Sequence, residues 1–388
     1  MENSPNRIQV VDALRGFAII SIMLLHNIEH FDFYYTPENL PEWMVAVDKI
    51  IWYTLFFLFA GKSYAIFALL FGLTFFIQSN NQARKGKDFR LRFAWRLVLL
   101  LLFGIINSAF YQGDILMTYA IIGFVLIPVA HLNSKTVLII AIILLLQPFE
   151  WFNFIYALQH PQLVATDPAS WAYFGKMESY ITGKSLLNTM VGNLTNGKTA
   201  VFMWTWEAGR VLQTAALFML GMLAGRVQLF NLTPETIKIW QKILLTAIIS
   251  AIPLFIFSLY TDQLITNKLA ARSLNVIIGS LANLSFMMIW VSGIVLLFRN
   301  ITVKHILSKL SPIGRMSMSN YIIQSVLGAF IYYGFGLSMY KYTGATYAVI
   351  IGIILALIQS WFSAYYLKKH NHGPFESIWH KLTWLGYK

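Results

Sequence analysis

Not one cysteine occurs in the 388 residues. Disulfides, thiolate nucleophiles and cysteine-based metal sites are therefore excluded, and compartment is left undecided. Charge is scarce as well. Only 12% of residues are Asp, Glu, Lys or Arg, about half of the ~25% usual in a soluble domain. The acidic sign is the scarcer, 16 residues against 29 Lys and Arg. A phosphate-binding loop, a dinucleotide glycine fingerprint, a Gly-x-Ser-x-Gly elbow and any tandem repeat are also missing. The polar stretch 1–10 has no apolar run before a small-residue cleavage site. No removable signal peptide is expected, and the first apolar segment reads as a retained anchor.

What the chain does have is apolar surface. Hydrophobic residues make up 57% and mean hydropathy is +0.62. Such a chain cannot hide its apolar side chains from water, so the lipid bilayer is its expected partner. The fold class expected is an all-α polytopic membrane protein, one integral membrane domain over 1–388. Aromatics reach 16% and gather at span ends, as interfacial belts do. A net charge of +13 would suggest nucleic acid in a soluble protein. Here the basic residues fall in loops on one side, so no nucleic-acid partner is expected.

Runs of membrane-crossing length give about ten transmembrane helices, at 10–28, 63–77, 97–109, 115–129, 136–154, 200–223, 243–260, 274–297, 316–335 and 347–367. The segment 46–60 reads as an interfacial or re-entrant helix, and the fifth span is broken near Pro148. The loop with Arg84, Lys85, Lys87, Arg90, Arg92 and Arg96 carries only Asp88 against them and is assigned to the cytoplasm. The loop with Glu29, Asp32, Glu38, Glu42 and Asp48 has no Lys or Arg before Lys49 and falls outside. Both termini are then cytoplasmic, with one long extracytoplasmic loop over 159–199 and a cytoplasmic tail over 368–388.

The chemistry concentrates on the first span. Arg15 and His26 are eleven positions apart, roughly 1100° of helix, which returns to within about 20° and separates them by about 16 Å. Asp12 lies below Arg15 on that face, and His30 one turn beyond His26. Ionisable groups in a membrane-length helix are costly and usually face a protein interior or a watery cavity. The alternative is that Arg15 snorkels to headgroups and His26 sits at the interface. Elsewhere Glu207 and Arg210 are three apart on one helical face and can pair, with Gln213 and Thr214 extending the polar surface. Asn107, Tyr111, Gln112 and Asp114 gather at an outer hairpin, where Asp114 either binds or caps a helix. Lys62 stands on the same side. Ser317 and Asn320 open the ninth span, where they can cap it, hold a neighbouring helix or meet a phosphate. No metal is expected. The only set with ligand spacing is His26 and His30 with Glu29 or Asp32, where a zinc site is the minor alternative.

The run Asp12-Ala13-Leu14-Arg15-Gly16-Phe17-Ala18 resembles the first helix of the YeiB-type bacterial membrane proteins. So do Leu69-Leu70-Phe71-Gly72, Gly113-Asp114-Ile115-Leu116 with Tyr119, Gly314-Arg315-Met316-Ser317 with Asn320-Tyr321 and Gln324-Ser325, and Gly373-Pro374-Phe375-Glu376 with Trp379. That group is similar to a wider set of transmembrane acyltransferases, the acyltransferase-3 proteins and heparan-α-glucosaminide N-acetyltransferase. In acyltransferase-3 proteins a first-helix arginine is followed eleven residues later by a functional histidine, as Arg15 is by His26. Most YeiB-type members carry asparagine at that position, and here Asn27 comes one place later, so His26 and His30 both stand as candidates.

The resemblance implies transfer of an acyl group, acetyl by preference, from cytoplasmic acyl-CoA (acetyl-CoA) to an extracytoplasmic acceptor such as a glycan, in the inner membrane of a bacterium. His26, His30 and Glu29 would be the catalytic set. Arg15, Arg96, Arg315, Ser317 and Asn320 would hold the acyl-CoA. Asn27, Asp32, Lys62, Asp114, Glu207 and Arg210 would meet the acceptor. A transporter or proton-coupled carrier without covalent chemistry is the competing expectation. Association with further copies of the chain stays open.

Overall fold

The structure, a computed structural model, describes residues 8–33, Tyr35, Pro37 and 40–385. Residues 1–7, Glu38 of the acidic loop and Lys388 of the tail lie outside the described residues. Every element found among the described residues is helical. In chain order the helices are α1 (Gln9–Glu29), α2 (Glu42–Phe59), α3 (Ser63–Ala83), α4 (Arg90–Phe110), α5 (Leu116–Gly123), α6 (Leu126–Val129), α7 (Ser134–Leu145), α8 (Pro148–Gln159), α9 (Ala169–Phe174), α10 (Glu178–Ile181) and α11 (Leu186–Gly192). After a π-helical turn at Asn193–Gly197 come α12 (Lys198–Glu207), α13 (Arg210–Arg226), α14 (Pro234–Leu264), α15 (Lys268–Leu297), α16 (Ile301–Ser308), α17 (Ser311–Arg315), α18 (Ser317–Tyr332), α19 (Ala345–Tyr366) and α20 (Pro374–Trp384).

Local sequence explains many of the ends. The Asn133 side chain accepts the Thr136 N–H to start α7. Thr233 and Thr236 form a reciprocal capping pair for α14, with Pro234 in the first turn. Asn267 accepts from the Leu269 and Ala270 N–H groups to start α15.

Seven units among the described residues are long and apolar enough to cross a membrane, and an eighth is added if α11–α12 and α13, bent by 72°, form one span. Helices of this kind suggest a multi-pass membrane protein. Two of the ten expected spans fall in none of these eight units. The fourth is the eight-residue α5 followed by the four-residue α6. The ninth is the 16-residue α18, which ends where Tyr333 turns extended and the next residue, Gly334, donates its N–H to the Ile181 carbonyl. Residues 42–83 run as one 42-residue unit, so the expected interfacial segment joins the second span through Gly61 at φ +80°. The break near Pro148 falls at Gln147, in left-handed backbone.

The most apolar stretch of α1 is 72% buried and that of α14 only 11%, so α1 is the core helix and α14 an edge. Contact with α3, α17, α18 and α19 surrounds α1. Two close approaches set this arrangement. A Cβ on Gly314 would come within 1.9 Å of the Asp12 carbonyl oxygen, so α17 rests on the α1 backbone and brings Arg315 beside Arg15. A Cβ on Gly221 would fall 1.8 Å from the Leu69 carbonyl oxygen, and one on Gly72 1.9 Å from that of Phe218. Helices α3 and α13 therefore meet backbone to backbone, the small-residue packing that lipid-embedded helices favour. Gly221→Leu is expected to separate this pair, because a main-chain carbonyl cannot move aside as a side chain does. The cost should exceed the ~1–3 kcal/mol of ordinary overpacking. The measurement is the monodisperse fraction and the unfolding temperature in detergent.

Candidate functional site

Along one face of α1, Arg15, Ile19 and Ile22 line an internal cavity of about 320 Å³. His26 is the next residue on that face, one turn further on. The cavity has a basic mouth, where Arg15, Arg96 and Arg315 converge with His372 and His380. Its throat is apolar, with Leu70, Phe71, Leu100 and Ile115 among its walls, and it reaches Tyr119 and Tyr321. The ring of Tyr321 also contacts that of His26, with centroids 5.8 Å apart. A single helical face thus carries a guanidinium at the cavity mouth and an imidazole one turn beyond its last lining residue, with Tyr321 between the cavity and His26.

At the mouth each arginine is held. The Arg15 guanidinium pairs with Asp12 at 3.1 Å and donates to the Thr74 hydroxyl at 2.6 Å. Arg96 donates to the Thr383 hydroxyl at 3.3 Å and stacks on Trp379, 4.0 Å from its ring centre. Arg315 donates to the Asn371 carbonyl at 3.3 Å. Helix α20 closes this end. Its Glu376 accepts the first N–H groups of α18, from Met318 at 2.8 Å and Ser319 at 3.0 Å, and takes the Ser319 hydroxyl too. Burial pushes the Glu376 carboxyl up, and these donors pull against it. The His372 and His380 rings stack at 5.2 Å. Burial first, then His372 and Arg96, hold His380 below its usual value.

At the other end the His26 ring lies 4.5 Å from that of Tyr111. His26 Nε2 stands 3.7 Å from Glu29 Oε2, and the Tyr111 hydroxyl donates to that same oxygen at 3.0 Å. His26 Nδ1 is buried with no hydrogen-bond partner among the described residues. His30 differs. Its Nδ1 engages the His26 carbonyl, its ring stacks on Tyr111 at 4.5 Å and 24°, and only 1% of it is exposed. Asn27 is turned away from the cavity, donating to the Met23 carbonyl and accepting the Tyr332 hydroxyl, both at 2.8 Å. Asp32 accepts the Trp52 indole N–H. Burial raises its carboxyl, the indole lowers it and Asp48 raises it.

The remaining expected residues divide. Ser317 lines the cavity, whereas Asn320 is fully buried beside α19, donating to the Ser363 hydroxyl at 2.9 Å. Lys62 is buried rather than extended to a surface, 5.5–5.7 Å from the centres of Phe57, Phe255 and Phe286. Asp114 caps α5 by accepting the Met117 N–H at 2.9 Å and also accepts the Asn107 amide at 2.8 Å. The expected Glu207–Arg210 pair is not formed. The helix breaks at Ala208–Gly209, with Gly209 at φ +66°, so the two are no longer one turn apart on a common helix. Glu207 instead accepts the Ser170 hydroxyl at 2.6 Å. Arg210 stacks on Trp204 and Tyr64 at 3.9 and 4.8 Å, within electrostatic reach of Glu29.

The expected outer loop 159–199 is largely helical and packs over the histidine end. Met177 and Ile181 share a core with Ile28, Phe31, Tyr332 and Tyr333. Lys198, which sequence reasoning passed over, donates to the Asp114 carbonyl at 2.8 Å and stands 3.8 Å from its carboxylate. His372 and His380 were likewise passed over. Nothing in the spacing of tail residues signals a contact with a helix near position 96. Tyr111 was expected only as one polar group of the outer hairpin, and Tyr119 and Tyr321 only as parts of the family-like motifs.

Residues 224–386 match a family described as "Protein of unknown function (DUF418)". Over nearly its whole length the chain is similar to three bacterial proteins. It is 28% identical to the uncharacterized protein YxaH of Bacillus subtilis (strain 168), across 98% of this chain and 95% of that protein. It is 26% identical to an uncharacterized 39.9 kDa protein of Bacillus acidopullulyticus encoded 3′ of an amylase, across 97% and 94%. To the uncharacterized protein YeiB of Escherichia coli (strain K12) it is 26% identical, across 96% and 95%. These likenesses support a YeiB-like family.

Proposed function

We propose that this protein is a membrane-bound acyltransferase that moves an acyl group, acetyl by preference, from acyl-CoA to an acceptor on the opposite side of the membrane. One observation carries the reading. A cavity with three arginines at its mouth and an apolar throat lies along the α1 face that ends at a histidine–carboxylate pair. In this reading the α20 end faces the cytoplasm, because the basic α3–α4 segment lies there, with Arg92 donating to the Thr383 carbonyl at 2.6 Å. The membrane is then the inner membrane of a bacterium.

The residues fit the donor. Arginines suit phosphates through forked, charge-assisted hydrogen bonds. The throat suits a thin, weakly polar arm, and the roughly 16 Å from Arg15 to His26 is long enough for an extended pantetheine chain. His26 then accepts the proton of an acceptor hydroxyl as that oxygen bonds to the thioester carbonyl carbon. The carbon–sulfur bond breaks, and the imidazolium returns the proton to the departing thiolate. Glu29, held by Tyr111, orients the ring and stabilises its charged form. His30, tied to the His26 carbonyl and enclosed by tyrosines, is a positioning residue. This reading takes His26 as the base.

The test is calorimetric titration of acetyl-CoA into detergent-purified protein, beside Arg15→Ala. Binding should be measurable and at least ~10-fold weaker in the variant, the scale of one lost charge-assisted bond. Folded protein that binds neither acetyl-CoA nor a longer acyl-CoA would overturn the reading. The break at Ala208–Gly209 favours a second reading, since interrupted helices hold solutes in transporters. Uptake of a labelled solute into proteoliposomes without acyl-CoA would select it.

A further inference from the structure

A second cavity, of about 680 Å³, opens at the same end as Lys62 and Tyr64. Four elements wall it: the start of α3, the break before α13, the end of α14 and the first half of α15. It is separate from the donor channel but close to it. Tyr64 lines the second cavity and accepts, through its carbonyl, the hydroxyl of Tyr119, which lines the first. The Tyr64 hydroxyl donates to Gln213 in the same wall. The tyrosine pair is therefore the partition between the two spaces.

The charged lining is unbalanced. Arg210, Lys268 and Arg272 face it against Asp262 alone. Asp262 already accepts the Asn275 amide at 3.0 Å, and Arg272 donates to the Thr166 carbonyl at 2.7 Å. Arg210 is the distinctive member. Its guanidinium is stacked on the Trp204 and Tyr64 rings, yet it donates no hydrogen bond and forms no ion pair among the described residues. A stacked guanidinium has its faces covered and its forked N–H edge left to donate, which is the geometry that grips a carboxylate or phosphate. Asn275, Asn283, Gln213 and Thr266 add groups suited to hydroxyls. Gly279 on α15 leaves the space clear, since a Cβ there would meet nothing within 4 Å.

We infer that this cavity receives the acyl acceptor, and that the acceptor is a polyhydroxylated anion, a sugar acid or a sugar phosphate. The same Arg210 that would bind the anion lies within electrostatic reach of Glu29, so an acceptor held there brings its hydroxyls toward His26. The word acceptor rests on the acyltransferase reading, whereas the affinity for a hydroxylated anion does not.

The experiment titrates glucuronate, glucose 6-phosphate and glucose separately into the detergent-purified full chain, and acetyl-CoA into the same preparations. Gly279→Leu and Arg210→Gln are run beside the parent. Leucine at 279 replaces glycine inside a helix, which favours folding, and its side chain occupies the cavity. Binding of either anion, lost in Gly279→Leu and at least roughly tenfold weaker in Arg210→Gln, supports the inference. The anion that binds identifies carboxylate or phosphate as the recognised group. Glucose binding as well as the anions, no anion binding, or anion binding untouched by Gly279→Leu overturns it. Acetyl-CoA binding retained in those cases shows that the donor reading survives the loss of this one. Its absence in the parent, with anion binding intact, shows the reverse.

Discussion

His26→Ala is expected to lower acyl transfer by about 10²–10⁴-fold, the usual contribution of a positioned general base, while acetyl-CoA affinity stays near that of the parent. The separation follows from geometry. His26 lies one turn beyond Ile22, the last α1 residue lining the cavity, so truncating it removes proton transfer and leaves the arginine mouth intact. His30→Ala should act in the opposite way. Removing a ring that is 1% exposed and packed on Tyr111, Tyr332 and Tyr333 leaves a cavity, so the variant should lose stability with part of its activity retained. The readout is thiol release from acetyl-CoA by vesicles containing the protein and an envelope glycan extract, with an unfolding curve for each variant. Full activity in His26→Ala sinks the assignment.

Lys198→Met is expected to destabilise the protein by about 3–5 kcal/mol, the range for breaking a buried ion pair from one side. The Lys198 and Asp114 side chains are 4% and 0% exposed, with Nζ 3.8 Å from the carboxylate. Without the ammonium, the Asp114 carboxylate keeps neutral donors such as the Asn107 amide and the Met117 N–H, and the Asp114 and Gln112 carbonyls lose their donor. The double variant Lys198→Met/Asp114→Asn should recover much of the loss, since no unpaired charge is then buried. Thermal unfolding in detergent compares the three. A single variant as stable as the parent would mean that the ammonium contributes nothing net. Lys198 also ties α12 to the α4–α5 turn, directly beside Tyr111, so the single variant should loosen the clamp on Glu29.

Helical periodicity made the Arg15–His26 face legible, because 3.6 residues per turn is a local rule that α1 obeys throughout. The break at Gln147 was legible for the same reason, through Pro148. The Glu207–Arg210 pair failed because its logic assumed an unbroken turn. Gly209 interrupts the helix there, and the Gly209 carbonyl is satisfied by Gln147, 62 positions away. Nothing local encodes that bond. Of the roles open to Asn320 at a helix start, the structure shows the neighbouring-helix one, its amide donating to Ser363 of α19. Lys198 escaped notice because a lysine in a polar stretch reads as solvated, whereas helical packing of 159–199 buries it. Two of the expected spans proved to be short helices, eight and four residues at α5 and α6 and 16 at α18, each ended by a cap or a turn.

The contact between Arg96 and Trp379 spans 283 positions. At about 5–20 residues per second of synthesis, the partner of a buried arginine emerges roughly 15 to 60 seconds after the arginine itself. Through that interval the Met318 and Ser319 amides, once made, also wait for Glu376. Until then the arginine mouth lacks the helix that closes it, and the cavity acquires its floor only after the other helices are in place. Docking of α20, which brings Trp379 onto Arg96 and Glu376 onto the start of α18, is then the closing event of folding.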